Sequence, residues 1–118
     1  MKRDLRKRTK EFALRIIRLY SSLPSSTVAQ IIGKRVLRSG TSVGAQYREA
    51  FRSRSDAEFI SKIQSGLQEL EETVYWRKLL IESNLIKESM LQNLLQEASE
   101  LTAIFITSVK TVKQRINK

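Results

Sequence analysis

The 118-residue chain carries 22 Lys/Arg against 12 Asp/Glu, a formal net charge of +10, and contains no histidine and no cysteine. Disulfides, thiolate metal sites, cysteine nucleophiles and any Ser-His-Asp arrangement are excluded, and zinc lacks its usual ligands. One proline and four glycines are too few for a turn-rich sandwich or barrel, whereas abundant Leu, Ile, Glu, Lys, Arg and Gln suit helices.

In chain order, a first helix is expected over about 4–22, with Asp4 as N-cap and Leu5, Phe12, Ile16, Leu19 and Leu23 at helical spacing. Leu23-Pro24-Ser25-Ser26 ends it, because proline disfavours a helical conformation in the residue before it. A second helix is expected over about 27–52. Thr27 and Gln30 have capping-box spacing, and Val28, Ile31, Ile32 and Val36 form an apolar stripe. Within it, Ser39-Gly40-Thr41-Ser42-Val43-Gly44-Ala45 has poor propensity, about 1 kcal/mol per glycine relative to alanine, and taken alone reads as a loop. Val36, Val43, Tyr47 and Phe51 nevertheless hold helical phase across it, and small residues let another backbone approach closely. One continuous helix is therefore expected.

Ser55-Asp56-Ala57-Glu58 has the form of a capping box and places two carboxylates at the positive end of a third helix, over about 56–83. Ile60, Ile63, Leu67, Leu70, Val74, Arg77 and Ile81 step by three and four, a heptad pattern with one basic interruption. Asn84 suits a left-handed cap at its end. A fourth helix is expected over about 87–115. Leu91, Leu94, Ala98, Leu101, Phe105 and Val112 make one seam, and Leu95, Thr102, Val109 and Ile116 a second beside it. Helices joined by such short connections predict an all-α, single-domain, antiparallel up-and-down four-helix bundle. No apolar run approaches the roughly 18 residues of a membrane span, and no secretory h-region follows the basic start. The expected location is the cytoplasm, with no membrane partner.

The charge is uneven. Residues 1–54 hold 14 Lys/Arg against 3 Asp/Glu, or +11; residues 55–100 hold 4 against 9, or −5; residues 101–118 hold 4 against none. Such polarity recruits a polyanion through counterion release, or equally supports pairing between basic and acidic helices within or between subunits.

The run Arg38-Ser39-Gly40-Thr41-Ser42-Val43-Gly44-Ala45-Gln46-Tyr47-Arg48-Glu49-Ala50, with Arg54-Ser55-Asp56-Ala57-Glu58-Phe59 and Leu67-Gln68-Glu69-Leu70-Glu71-Glu72-Thr73-Val74-Tyr75-Trp76, resembles the bacterial 23S ribosomal RNA intervening-sequence protein family. Phe12-Ala13 and the Leu23-Pro24 turn extend the resemblance over nearly the whole chain. It implies a left-handed up-and-down bundle assembled as a ring-like homopentamer. It also implies kinship with basic accessory proteins that serve reverse transcriptases in diversity-generating retroelements and bind nucleic acid. Gln46 stands where the family usually has Asn, and Arg77 where an apolar residue is common.

Arg35, Arg38, Arg48, Arg52 and Arg54 gather around the second helix, and arginine favours bidentate contact with phosphate or carboxylate. Singly, each is as well explained by a partner among Glu49, Glu69 and Glu72; as a group they outnumber the nearby acids. Lys2, Arg3, Arg6, Lys7, Arg8 and Lys10 make a basic helix start, and Lys110, Lys113, Arg115 and Lys118 complement the negative end of the fourth helix. Glu69, Glu71, Glu72, Asp56 and Glu58 fit capping and ion pairing better than metal binding, because a di-iron bundle needs histidine. Tyr47, Phe51, Tyr75 and Trp76 at helical spacing read as packing residues first and base-stacking residues second.

The expectation is a non-enzymatic, cofactor-free homo-oligomer that binds the RNA or DNA backbone through Arg35, Arg38, Arg48, Arg52, Arg54, Lys7 and Arg8. Gly40, Ser42, Gly44, Tyr47, Glu49, Glu69, Tyr75 and Trp76 are expected to serve core or oligomer packing. The alternative is a scaffold or adaptor for a protein partner such as a reverse transcriptase, its charges organising its own assembly.

Overall fold

The computed structural model describes the backbone of residues 2–117 and the side chains of residues 5–117. Among these residues four α-helices form and no strand: α1 (Lys2–Ser21), α2 (Thr27–Phe51), α3 (Asp56–Glu82) and α4 (Gln92–Ile116). Because α1 begins at Lys2, Asp4 stands inside its first turn and not at the cap. The side chains of Lys2, Arg3, Asp4 and Lys118 lie outside the described residues.

The cap of α2 is Ser26, one residue before the expected Thr27; its hydroxyl accepts from the Ala29 N–H at 3.3 Å. Gln30 closes no capping box. Its amide donates to the Pro24 carbonyl at 2.9 Å and its oxygen accepts from the Tyr20 hydroxyl at 3.0 Å, tying the side chain to the α1–α2 turn. Val28 and Ile31, expected in the core stripe, are 54% and 58% exposed, because the buried face of α2 runs instead through Ala29, Gly33 and Val36. Small residues take the inward positions there: Ala29 is buried, and a Cβ added at Gly33 would stand 2.6 Å from Leu23 Cδ1.

Through Ser39–Ala45, α2 runs unbroken. Tertiary packing overrides the weak propensity. A Cβ at Gly40 would stand 2.5 Å from Ile16 Cγ1, and one at Gly44 would stand 3.3 Å from the Thr9 hydroxyl, so α1 lies close along this face. On the opposite side the buried Ser39 and Thr73 hydroxyls meet at 2.8 Å in the α2–α3 seam.

For α3, Ser55 accepts from the Glu58 N–H at 3.0 Å, while the Glu58 carboxylate reaches back to the Arg54 N–H at 3.1 Å. The helix ends in a Schellman motif. Asn84 takes φ 63°, Leu85 N–H donates to the Leu80 carbonyl at 3.0 Å, and Asn84 N–H donates to the Ile81 carbonyl at 3.0 Å.

Between α3 and α4, Glu88–Met90 forms a separate 3-10 turn, so α4 starts at Gln92 and not near residue 87. No side chain caps α4; instead the Leu91 carbonyl at the junction accepts from Arg77 Nε at 3.2 Å. This accounts for the basic interruption of the α3 heptads. Arg77 is buried among the helices, bonded to a backbone oxygen, with its Nη2 making no hydrogen bond.

Contacts fix the antiparallel register pair by pair: Thr9 against Gly44, Arg38 against Glu69, and Phe105 against Gly66. Each helix packs on its sequence neighbours in a rod of 52 × 21 × 21 Å, and α1 touches α4 only lightly. The core runs its length through Phe12, Ile16, Val36, Val43, Ile63, Leu70, Leu80, Leu101 and Phe105, all at most 1% exposed. The first α4 seam is buried throughout. Val109 joins it from the second, Leu95 and Thr102 lie at its flank, and Ile116 is exposed. Ile60, Leu67, Val74 and Ile81 likewise flank the α3 seam.

Candidate functional site

The arginines expected to act together divide between two faces of the bundle. On the α2–α3 face, Arg38 donates to Glu69 at 3.0 Å and to Glu72 at 2.9 Å, and Trp76 Nε1 donates to the same Glu72 carboxylate at 3.1 Å. The Arg35 guanidinium lies 5.8 Å over the Trp76 ring, and Lys62 pairs with Glu49 at 2.7 Å. This face is internally neutralised. Its acids hold its cations, and among the described residues no three His, Cys, Asp or Glu side chains gather where a metal could sit.

Glu72 is held below the usual carboxylate range, first by the Trp76 N–H and then by Arg38. A depressed folded-state value adds stability that is complete above the unfolded value and is lost as pH falls through the folded one. Urea midpoints of the parent and of Glu72→Gln, followed by fluorescence of the single tryptophan, are expected to differ at pH 6 and to converge below about pH 4. A constant gap across that range would mean that the ionised form of Glu72 adds nothing to stability beyond what its neutral form supplies.

The outward side of α1 and α2 has the opposite character. Thr9 lies against Gly44 and the Arg6 guanidinium lies 5.5 Å over the Phe51 ring, so the first turns of α1 run beside the last turns of α2. Arg6 and Lys10 are four residues apart on α1, about 6 Å of helix rise, and Arg48 stands four residues before Arg52, the C-cap of α2. All four are exposed, and among the described residues none pairs with a carboxylate. Lys7 is exposed and unpaired on the same turn of α1. Arg8, by contrast, points to α4, where Glu97 takes it at 2.7 Å and Glu100 at 2.9 Å. Those hydrogen bonds, Glu97 first, raise its pKa above the ordinary arginine value.

Arg54 sits in the α2–α3 connection beside the open end of the bundle. Here a groove of about 1040 Å³ is lined by Leu5, Phe51, Arg54, Phe59, Ile104 and Thr111 among others. Arg115 at its rim pairs with Asp56 at 2.7 Å.

Of the residues expected in packing roles, Gly40, Gly44 and Tyr47 are buried between helices, and Ser42 turns its hydroxyl to the Arg38 carbonyl at 2.6 Å. Tyr75 is 54% exposed, its ring edge-on to Trp76 with centroids 5.0 Å apart. Arg6 and Lys10 were legible only as part of a basic start. The i,i+4 pairing on both helices was the signal that could have joined them to Arg48 and Arg52, once the antiparallel register was assumed.

Comparison with known proteins places the chain. The family model described as 23S rRNA-intervening sequence protein matches residues 1–107. A crystal structure of a protein of unknown function from the S23 ribosomal protein family of Bacteroides thetaiotaomicron is 36% identical. It superposes with a TM-score of 0.87 over 93% of this chain and 99% of that one. No curated protein matches.

Proposed function

The chain belongs to the 23S rRNA-intervening sequence protein family, and we propose that it binds the phosphate backbone of nucleic acid, as a homo-oligomer and without catalysing a reaction. The supporting observation is the cation cluster of Arg6, Lys10, Arg48 and Arg52, exposed on one end of the α1–α2 face and, among the described residues, engaging no carboxylate. Positive charge that no described carboxylate neutralises gains counterion-release free energy from any polyanion, with little dependence on sequence. Arg38, spent on Glu69 and Glu72, contributes little to it.

The triple variant Arg6→Gln, Arg48→Gln, Arg52→Gln tests this. In fluorescence-anisotropy titrations the slope of log affinity against log salt is expected to fall by about one per cation removed. Arg38→Gln is expected to leave that slope unchanged. Equal slopes for parent and triple variant would sink the surface assignment.

A second reading, a scaffold or adaptor for a protein partner, is favoured by the exposed Val28, Ile31 and Tyr75 on α2 and α3. Exposed apolar side chains of this size suit subunit or partner contact, in keeping with the ring-like pentamer that the family resemblance implies. Sedimentation mass separates the two readings: the scaffold requires oligomer loss to accompany loss of function, whereas the polyanion surface does not.

A further inference from the structure

We infer that the nucleic acid bound at this end is single-stranded, and that the groove between α1, the α2–α3 connection and α4 receives one of its unstacked bases. The inference rests on the backbone-binding reading above and adds to it the strandedness and the base contact.

The groove adjoins the cation cluster through one side chain. Phe51 is 48% exposed, carries Arg6 5.5 Å over its ring, and lines the groove. Arg48 and Arg52 flank it on α2, and Arg54 lines the groove itself. Behind Phe51 the aromatic series continues inward, with Tyr47 at 6.4 Å between ring centroids and Phe105 stacked on Tyr47 at 5.9 Å. The support of Phe51 is therefore rigid core. Phe59 and Ile104 supply further apolar wall, and Thr111 offers a hydroxyl that makes no hydrogen bond among the described residues.

The groove, about 1040 Å³ and open to solvent, has room for more than one base; its Phe51 and Phe59 walls, the Thr111 hydroxyl and the Arg54 guanidinium suit a planar heteroaromatic group attached to phosphates. Cationic tracks interleaved with exposed aromatic rings are how single strands are held without sequence preference. A duplex buries its base faces in its own stack and has nothing to place in the groove. It would engage the cations alone.

The test compares four fluorescein-labelled 20-mers with the full-length protein at two salt concentrations: single-stranded DNA, single-stranded RNA, duplex DNA, and a single strand in which abasic sites replace every base. The single strands are expected to bind more tightly than the abasic strand by about tenfold, a typical worth of aromatic stacking. Phe51→Ala is expected to abolish that gap, while abasic and duplex strands still bind with the parent's salt slope because all four cations remain. Any difference between RNA and DNA identifies which strand the groove prefers. Abasic and base-bearing strands bound equally, with salt dependence intact, would overturn the base pocket and leave the backbone reading standing. Failure of every oligonucleotide to bind at low salt would overturn both.

Discussion

Replacement of Phe105 by alanine is expected to destabilise the bundle by about 3–5 kcal/mol, the usual cost of deleting a fully buried aromatic ring. Phe105 is 0% exposed, stacks on Tyr47 at 5.9 Å, and fills the space over Gly66, where an added Cβ would come within 2.8 Å of Phe105 Cε2. It therefore joins α4 to both α2 and α3 at one level of the core. Small domains are stable by only about 5–15 kcal/mol, so the variant should lie near the edge of folding. Urea unfolding is expected to show a lower midpoint with an unchanged slope. A loss under about 1 kcal/mol would mean that this ring is not packed in the seam. Gly66→Ala, unfavourable in the parent, should be better tolerated beside Phe105→Leu, a coupling that a double-mutant cycle measures directly.

The other large effect is expected at Gly40. In an exposed helix interior, alanine in place of glycine adds about 1 kcal/mol of stability. Here the new Cβ would meet three atoms of Ile16 at 2.5, 2.8 and 2.9 Å, and Ile16 is wholly buried with no open side to swing into. Gly40→Ala is therefore expected to lower stability, by about 1–3 kcal/mol for an overpacked contact. Gly40→Leu should separate α1 from α2 and abolish cooperative thermal unfolding. Pairing Gly40→Ala with Ile16→Val removes one methyl from the contact and should recover part of the loss. A Gly40→Ala protein more stable than the parent would show that α1 can be displaced at no cost.

The two faces of α2 illustrate how far the candidate site could be read in advance. That Arg38 had acids to pair with was plain from the presence of Glu69 and Glu72, but pairing needed the α2–α3 register. Arg48 on α2 and Arg52 at its C-cap carry the same side chain, yet they lie on the side toward α1, where Arg6 and Lys10 stand, and among the described residues none of the four pairs with a carboxylate. Opposite environments for identical residues on one helix arise from which neighbour each turn meets, and composition is blind to that. The groove was not legible at all. It is a gap between side chains drawn from all four helices, and a gap has no residue of its own to announce it.

The one-dimensional pattern determined whatever depends on local chemistry and period: helices in place of strands, breaks at Pro24, Ser53 and Asn84, the Ser55 cap, and the apolar seam of α4 from Leu91 to Val112. The absence of histidine and cysteine settled which ligand sets could never be built. Tertiary structure alone decided the rest. Close approach of Ile16 and Thr9 made Ser39–Ala45 helical against its propensity, because packing free energy summed over a helix face outweighs about 1 kcal/mol at each glycine. Packing of α2 through Ala29, Gly33 and Val36 left Val28 and Ile31 exposed, and with Leu91 buried and its carbonyl on Arg77, α4 starts at Gln92. Local sequence determines which conformations are inexpensive. Only the distances between segments far apart in the chain determine which charges are neutralised and which remain to meet a ligand.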